Sequence, residues 1–170
     1  DYLNNLNAVS AKLPTTADEI KAEIVKLIAS PNIADKSWVT SQYDKYVQGK
    51  NIFITGPGGS GKSALIKSIY KHAIFNNKTI HVTAMTGCAA ILLNCKAKTL
   101  HSWAGIGLGN GTIEQMVTKI MKNRYAKATW RSTDILIVDE VSMMSQKLFE
   151  MLDAIGKATR KNSRPFGGIQ

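Results

Sequence analysis

The pattern of apolar and polar positions divides the chain into a helical beginning and a longer stretch in which strands and helices alternate. Thr16 and Glu19 form a capping-box signature ahead of an apolar helical face, and Pro31 ends that helix. A second, shorter helix is predicted over residues 38–47, and Gly49 is placed to end it. The apolar positions are Ile20, Ile24, Leu27 and Ile28 in the first helix, and Trp38, Val39, Tyr43, Tyr46 and Val47 in the second.

In the rest of the chain, short apolar runs rich in β-branched residues alternate with helical patterns. Strands are predicted over residues 51–55, 79–83 and 134–138, and helices over residues 62–75, 88–93, 113–123 and 146–159. Strands that are separated by helices form a parallel sheet with helices on both faces. The pattern therefore predicts an α/β fold.

Composition and charge narrow the class of protein. With 170 residues, of which 44% are hydrophobic and 20% charged, the chain has the size and composition of one globular domain. Its apolar runs are too short to cross a bilayer, and the spacing of Cys88 and Cys95 does not match a metal site, which predicts reduced thiols in an intracellular protein. Residues 1–50 hold six lysines and six acids, so the net charge of +10 falls within residues 51–170. Such a basic region suits a nucleic-acid partner, although on charge alone a solvated lysine-rich surface is slightly favoured.

Residues 56–63 (GPGGSGKS) fit the G-x-x-x-x-G-K-S pattern of a phosphate-binding loop, or P-loop, between a predicted strand and a predicted helix. Glycines let the backbone curl so that successive N–H groups surround phosphate oxygens, and the following helix adds its positive N-terminal end. Lys62 is placed to reach the β- and γ-phosphates, and the Ser63 hydroxyl to ligate Mg²⁺. The predicted nucleotide-binding residues are Gly56, Pro57, Gly58, Gly59, Ser60, Gly61, Lys62, Ser63 and Ala64.

Residues 135–140 (ILIVDE) supply the second half of a nucleotide site. The four apolar residues predict a buried strand that delivers two carboxylates at its C-terminal end, where ligands of open α/β sheets bind. Asp139 is predicted to hold Mg²⁺ together with Ser63, and Glu140 to orient and deprotonate the attacking water. Because a kinase needs no such carboxylate for water, the pair favours hydrolysis, with Lys62, Asp139 and Glu140 as the catalytic residues.

Three further segments, together with the P-loop, indicate a family. They are TAMTGCAAILL at residues 83–93, KTLHSWAGIGLG at residues 98–109 and VDEVSMM at residues 138–144. In this order and spacing, the chain from about residue 50 to residue 170 resembles the petite-integration-frequency (PIF-type) DNA helicases, which are RecD-like motors of superfamily 1. The resemblance implies a P-loop NTPase with a RecA-like parallel sheet flanked by helices, and ATP and Mg²⁺ as cofactors. Together with the helical preface that the pattern predicts over residues 1–49, it implies a truncated first motor lobe over residues 50–170.

In such helicases, the segments that match residues 83–90 and 101–107 contact single-stranded DNA. The DNA contacts implied by the resemblance are Thr86, Gly87, His101 and Ser102. Trp103 is a further candidate, because an aromatic ring can stack on any base. The alternative for Trp103 is a core aromatic residue packed against Leu100 and Ile106.

The resemblance implies an ATP-dependent helicase that moves 5′ to 3′ on single-stranded DNA and unwinds duplex junctions in replication, repair, recombination or telomere upkeep. Gln42 is the nearest match to the glutamine with which the family reads adenine, but it stands closer to the P-loop than the family pattern. The final run, RPFGGIQ, leads in the family to a strand that senses the γ-phosphate, so little activity is expected of this chain alone. The expected location is the nucleus or mitochondrion in a eukaryote and otherwise the cytoplasm. Two alternatives stay open: a P-loop ATPase that remodels protein or loads clamps, and a non-catalytic nucleotide- or DNA-binding module.

Overall fold

A computed structural model of the protein describes residues 36–93 and 95–170. The predicted helix that begins near Thr16 lies outside these residues. The described strands are β1 (Ile80–Ala84), β2 (Lys98–Thr99) and β3 (Ile135–Asp139), and short 3-10 helices cover Val141–Met143 and Pro165–Gly168. The described helices are α1 (Lys36–Val47), α2 (Lys62–Phe75), α3 (Gly87–Leu93), α4 (Leu100–Ala104), α5 (Ile113–Lys122), α6 (Arg124–Ser132) and α7 (Gln146–Arg160).

In the described part of the chain, the strands form one parallel sheet with the order β2-β1-β3. Ile80 lies opposite Ile135 and Ala84 opposite Asp139, so β1 and β3 begin and end at the same level. The short strand β2 pairs with the last two residues of β1. The predicted parallel α/β sheet is therefore confirmed. We call the side where Ala84, Thr99 and Asp139 end their strands the carboxyl end of the sheet, and the side where Ile80 and Ile135 begin theirs the amino end.

Helices cover both faces of the sheet, as the alternation of strands and helices predicted. Ile135 and Ile137 pack with side chains of α1 and α2 on one face. Leu136 and Val138 pack with side chains of α4, α5, α6 and α7 on the other. Because successive residues of a strand point to opposite faces, β3 is apolar on both sides and lies between two helical layers.

The prediction of a buried strand over residues 51–55 is wrong. Within the described residues, the backbone of this segment takes part in no backbone–backbone hydrogen bond, and Phe53 is 75% exposed. A strand needs a neighbouring strand to pair its N–H and C=O groups. On the side of β3 away from β1, Gln170 takes that place: its backbone bonds to Asp134 and Leu136, and its side-chain amide donates to the Lys50 carbonyl. Ile52 and Ile54 instead pack on the core of α1 and α2.

The predicted helices that fall within the described residues are confirmed. Helix α2 has the predicted bounds, α7 ends one residue later than expected, and α1, α3 and α5 agree with their predicted bounds to within two residues. Helices α4 and α6 were not predicted; they are short, with five and nine residues. The core on their side of the sheet is built around Trp130, which is fully buried and whose Nε1 donates to the Ala104 carbonyl at 3.1 Å.

Candidate nucleotide and nucleic-acid site

The fold brings the predicted site residues to the carboxyl end of the sheet. Helix α2 ends at Phe75, and a connection of four residues leads from it to Ile80 at the amino end. Helix α2 therefore runs antiparallel to β1, and its first turn lies at the carboxyl end. Ile66 in that helix packs with Val82 and Ile137, which agrees with this direction. The other predicted residues at this end are Thr86 and Gly87 after β1, His101 and Ser102 after β2, and Asp139 and Glu140 at the end of β3.

The backbone of the P-loop depends on glycine at two positions. Gly59 and Gly61 have φ angles of +77° and +94°, a region that residues with a side chain rarely adopt. Gly61 is also the N-cap of α2, and it offers no side chain to pair with the first N–H groups of that helix. These N–H groups and the positive end of the helix dipole remain available to an anion. The loop thus has the features of a phosphate cradle.

The Lys62 ammonium is folded back over the P-loop. Its Nζ donates to the carbonyl oxygens of Gly56 and Pro57, both at 2.7 Å, and to Ser60 Oγ at 3.3 Å. A hydrogen bond from an ammonium group to a backbone carbonyl is charge-assisted, so these contacts hold the cation above the loop. Lys62 therefore lies where the sequence pattern placed it, within reach of any anion that the loop surrounds.

The remaining P-loop residues are divided between the surface and the core. Pro57, Gly58 and Ser63 are exposed, so the Ser63 hydroxyl can reach a ligand, whereas Ala64 is half-buried and packs on the core of α1 and α2. Gly56 is also exposed, and a Cβ there would lie 3.0 Å from Ser60 Oγ. The loop therefore has little room for a side chain at residue 56.

Two carboxylates stand side by side where β3 ends. Asp139 is half-buried, and its carbonyl accepts a hydrogen bond from the N–H of Met85 at 3.3 Å. Glu140 is exposed and has φ +57° and ψ +38°, a left-handed conformation that is uncommon for a residue other than glycine. Within the described residues, neither carboxylate forms an ion pair or accepts a hydrogen bond. The left-handed conformation of Glu140 costs about 1–3 kcal/mol, and strained residues of this kind are typical of active sites.

The segments that the resemblance assigned to DNA contact begin at the same end. Thr86 caps α3, because its Oγ1 accepts a hydrogen bond from Ala89 N at 3.3 Å, and Gly87 is the exposed first residue of that helix. Ser102 is exposed in the first turn of α4, while His101 is half-buried. These residues form a rim next to the P-loop and the two carboxylates.

The family model described as PIF1-like helicase matches residues 37–170. The chain belongs to the PIF1-like helicase family. The match covers all three segments that carried the resemblance as well as the P-loop, so the family and the RecA-like fold class are confirmed. The division between a preface and a lobe at residue 49 stays a prediction, since the match begins within α1 and crosses that boundary.

Individual relatives agree with the family. The chain is 43% identical over 122 residues to the ATP-dependent DNA helicase RRM3 of Saccharomyces cerevisiae, an alignment that covers 71% of this chain and 17% of RRM3. The crystal structure of Pif1 helicase from Candida albicans superposes with a TM-score of 0.74 at 42% identity, covering 81% of this chain and 31% of that one. A Bacteroides Pif1 bound to ssDNA gives a TM-score of 0.60 at 27% identity, covering 79% of this chain and 30% of that one. The PIF1-like chain thus spans about a sixth of the length of RRM3.

One of the candidate DNA contacts, Trp103, lies in the core of this PIF1-like chain. Trp103 is 3% exposed, and its ring centroid lies 4.5 Å from that of Trp130 in the core. A ring in that position cannot stack on a base unless it leaves the core. The alternative interpretation, a core aromatic residue, is the one that the structure supports. Trp103 Nε1 is the buried side-chain nitrogen for which the described residues supply no hydrogen-bond partner.

One feature of the PIF1-like chain had no signal in the sequence. The Gln170 side chain donates to the carbonyls of Tyr46 and Lys50, at 2.8 and 3.1 Å, and so ties the approach to the P-loop to the end of the described chain. Gln42 lies on α1 and accepts a hydrogen bond from Lys45 Nζ at 3.4 Å.

Among the described helices, none combines the length and the apolar character needed to cross a membrane.

Proposed function

We propose that this chain forms the nucleotide-binding lobe of an ATP-dependent DNA helicase, in which ATP hydrolysis drives movement along single-stranded DNA and unwinding of duplex junctions. The observation that carries the proposal is the convergence of three groups at the carboxyl end of the sheet. These are the P-loop with Lys62, the carboxylates of Asp139 and Glu140, and the rim that contains Thr86 and Ser102. RRM3 is itself named an ATP-dependent DNA helicase, which supports the proposal.

In the proposed site, the P-loop holds the triphosphate. The first N–H groups of α2 face the phosphate oxygens, and the Lys62 ammonium exchanges the carbonyls of Gly56 and Pro57 for the β- and γ-phosphates. The exchange replaces two neutral acceptors by charged ones. The hydrogen bonds of Lys62 are charge-assisted in both cases, but with phosphate both partners carry charge. Lys62 is thus prepared to bind a phosphate without a new arrangement of the backbone.

The donor set also fits Mg²⁺. The exposed Ser63 hydroxyl and the Asp139 carboxylate, which has no donor within the described residues, are hard oxygen ligands of the kind that Mg²⁺ prefers. When bound, the ion would neutralise charge on the β- and γ-phosphates. Glu140, at the adjacent position and free of protein partners in the described residues, orients the attacking water and takes up its proton.

A direct link joins the proposed nucleotide site to the proposed DNA rim. The Met85 N–H donates to the carbonyl of Asp139, and Met85 immediately precedes Thr86 and Gly87. A shift of the Asp139 backbone is therefore transmitted to the turn that would contact DNA. The Bacteroides Pif1 structure bound to ssDNA supports single-stranded DNA as the nucleic-acid ligand. A 5′-to-3′ direction, a role in genome maintenance and a nuclear or mitochondrial location in a eukaryote belong to the same proposal.

The proposal is tested by replacing Glu140 with Gln in the full-length protein that contains this chain. We expect ATP to bind as before, because the P-loop is untouched, while hydrolysis stimulated by single-stranded DNA falls by about 10²–10⁴-fold, the usual contribution of a general base. The measurement is steady-state ATP hydrolysis with and without single-stranded DNA, beside equilibrium binding of a fluorescent ATP analogue.

Glu150→Gln is the matched control, since Glu150 is an exposed carboxylate on α7 that contacts Gln146. It should hydrolyse ATP at the unsubstituted rate. Normal hydrolysis by Glu140→Gln would refute the catalytic role of Glu140. An unsubstituted protein whose ATPase responds to a protein substrate and not to DNA would instead favour a remodelling ATPase.

A further inference from the structure

The amino end of the sheet carries a basic pocket that the proposed nucleotide site does not use. The pocket has a volume of about 310 Å³ and lies where α6 and α7 end. Its lining contains three cationic side chains and no carboxylate. Within the described residues, none of the three cations forms an ion pair. The lining residues are Arg131, Arg160, Lys161, Asn162 and Gly167.

The two arginines are held in place by backbone carbonyls. Arg160 Nη1 donates to the carbonyls of Trp130, Arg131 and Thr133 at 3.0, 2.8 and 2.8 Å, which satisfies the end of α6. In return, Arg131 Nε donates to the Thr159 carbonyl at 2.8 Å near the end of α7. The remaining terminal nitrogens, Nη2 of Arg160 and both Nη atoms of Arg131, have no hydrogen-bond partner within the described residues. The pocket therefore contains charged donors whose guanidinium groups are held in place and which have no acceptor within the described residues.

A pair of glycines keeps the wall of the pocket close to α7. Gly167 has a φ angle of +66°, and a Cβ on it would overlap the carbonyl group of Gly156. A Cβ on Gly156 would in turn lie 2.6 Å from the Phe166 oxygen. This close approach places the Gly167 carbonyl 2.9 Å from Arg160 Nε, which fixes the guanidinium further. The geometry of the pocket is therefore built into the fold.

A row of cations extends from the pocket along α6. Arg124, Lys127 and Arg131 recur at positions i, i+3 and i+7, so they share one face of the helix. The buried face of α6 carries Ala126 and Trp130. No acidic residue occurs in the sequence between Glu114 and Asp134, whereas five lysines and arginines do. The row runs from the pocket towards α4, because Ala126 packs against the Gly105 turn that ends α4.

We propose that the pocket and the row on α6 bind phosphate groups of a nucleic-acid backbone, as a second contact surface remote from the nucleotide site. The inference rests on the proposed function, since it assumes that the protein works on DNA. Arg160 of the pocket donates to the carbonyl of Thr133, just before β3, whereas Asp139 is the last residue of β3. The five residues of that strand span about 13 Å at 3.3 Å per residue and separate the two. The pocket is therefore not part of the P-loop site. Guanidinium groups with free terminal nitrogens match the oxygens of a phosphodiester, and the row on α6 suits a ligand that repeats its charges.

The test compares two charge-removing variants of the full-length protein, Lys161→Asn in the pocket and Lys78→Asn outside it. Lys161 has a φ angle of +53°, a conformation that Asn tolerates, so the substitution should leave the fold intact. Lys78 is an exposed residue of the turn between α2 and β1 and serves as the matched control. Affinity for a labelled single-stranded oligonucleotide and for a labelled duplex is measured at several salt concentrations without ATP.

For Lys161→Asn we expect the slope of log affinity against log salt to become shallower by about 0.7 on single strands or about 0.9 on duplex DNA, the value for one phosphate contact. The double variant Arg131→Gln/Lys161→Asn should lose about twice as much, and its melting temperature is measured alongside. If the double variant does not fold, Lys161→Asn decides alone. Lys78→Asn should keep the original slope. The strand type whose slope changes identifies the ligand as single-stranded or duplex.

Unchanged slopes on both ligands in a folded Lys161→Asn protein would overturn the inference. ATP hydrolysis stimulated by single-stranded DNA is recorded for the unsubstituted protein in the same series. If that stimulation is missing, the proposed function fails, whatever the salt slopes are. If stimulation is present and the slopes do not change, the second contact surface alone is wrong.

Discussion

The carboxyl end of the sheet differs from the amino end in how its polar groups are satisfied. At the carboxyl end, Asp139 and Glu140 have no protein partners in the described residues, and Glu140 takes a left-handed backbone conformation. At the amino end, the arginine pair Arg131 and Arg160 fills the last carbonyls of α6 and α7 with hydrogen bonds of 2.8 to 3.0 Å. Left-handed residues occur at both ends, Glu140 and Lys161 among them. The unpartnered carboxylates at the carboxyl end suit a site that acts on a ligand. The satisfied carbonyls at the other end stabilise the fold.

Helix α2 connects the two ends and shows the same contrast within one element. Its first turn has a glycine N-cap and the Lys62 ammonium over the P-loop. Its last turn holds His72, which lies 3.0 Å from the hydroxyl of Tyr46 on α1 and 3.1 Å from Asn76 Nδ2. Helix α2 thus has an open anion site at its beginning and a closed polar network at its end. Substitutions at the two ends should therefore separate activity from stability.

Among the substitutions that compare the two ends, Lys62→Ala at the carboxyl end is expected to have the largest effect. Loss of the ammonium removes a preorganised donor to the β- and γ-phosphates, which costs about 10²–10³-fold in the rate of ATP hydrolysis. The free energy of unfolding should change little, because Lys62 is half-exposed and contacts loop carbonyls that water can reach. Hydrolysis and urea unfolding of the full-length protein are measured together. Lys67→Ala, at an exposed position of the same helix, is the control and should retain both properties.

The opposite result is expected at the amino end, from Arg160→Met. The substitution leaves three carbonyls near the end of α6 without their donor, and we expect the free energy of unfolding to fall by about 2–3 kcal/mol. The hydrolysis rate per folded molecule, measured at a saturating concentration of single-stranded DNA, should stay unchanged. Lys157→Met removes a cation from the same helix but breaks a partly exposed ion pair with Asp153, so it should cost less than about 1 kcal/mol. A loss of hydrolysis in folded Arg160→Met would contradict the separation of the two ends.

The smallest effect concerns His72. Asn76 Nδ2 also donates to the His72 carbonyl, at 2.8 Å, which identifies it as the amide nitrogen, so His72 Nε2 must accept and Nδ1–H must donate to the Tyr46 hydroxyl. Protonation of Nε2 would remove that acceptor. Burial also lowers the pKa of His72 below its ordinary value of 6.5. The folded protein therefore resists a proton that the unfolded chain accepts.

Because the pKa is lowered on folding, the contribution of His72 to stability is complete above pH 6.5 and is lost as the pH falls from there through the folded pKa. His72→Gln should flatten the fall in unfolding free energy between about pH 7 and pH 5, measured by urea unfolding at a series of pH values. The fall should not vanish, because burial next to Lys98 lowers the pKa of His81 as well. An unchanged pH profile in His72→Gln would show that the network at the end of α2 does not titrate in this range.

The parts of the site that could be predicted from the sequence are those whose chemistry depends on consecutive residues. The P-loop, the bounds of α2 and the pair Asp139 and Glu140 could be located because glycine conformations, helix periodicity and a short apolar strand act over a few neighbouring positions. The elements that the pattern missed, α4 and α6, have only five and nine residues, so a helical period extends over few turns in each. The parallel sheet followed from the alternation of strands and helices, which leaves few other arrangements.

The local chemistry of the carboxyl end and the family of the chain follow from the amino-acid sequence alone. Other features follow from the tertiary structure, because they depend on contacts between residues that are distant in sequence. Residues 51–55 have the composition of a strand but pair with no other strand among the described residues, and Trp103 packs against Trp130 instead of lying at the rim. Arg160 donates to the carbonyl of Arg131, 29 residues away, and Arg131 donates to the carbonyl of Thr159, so the two helix ends are joined. Such contacts are absent from any short stretch of the chain, because backbone pairing and burial are settled by which elements the fold brings together.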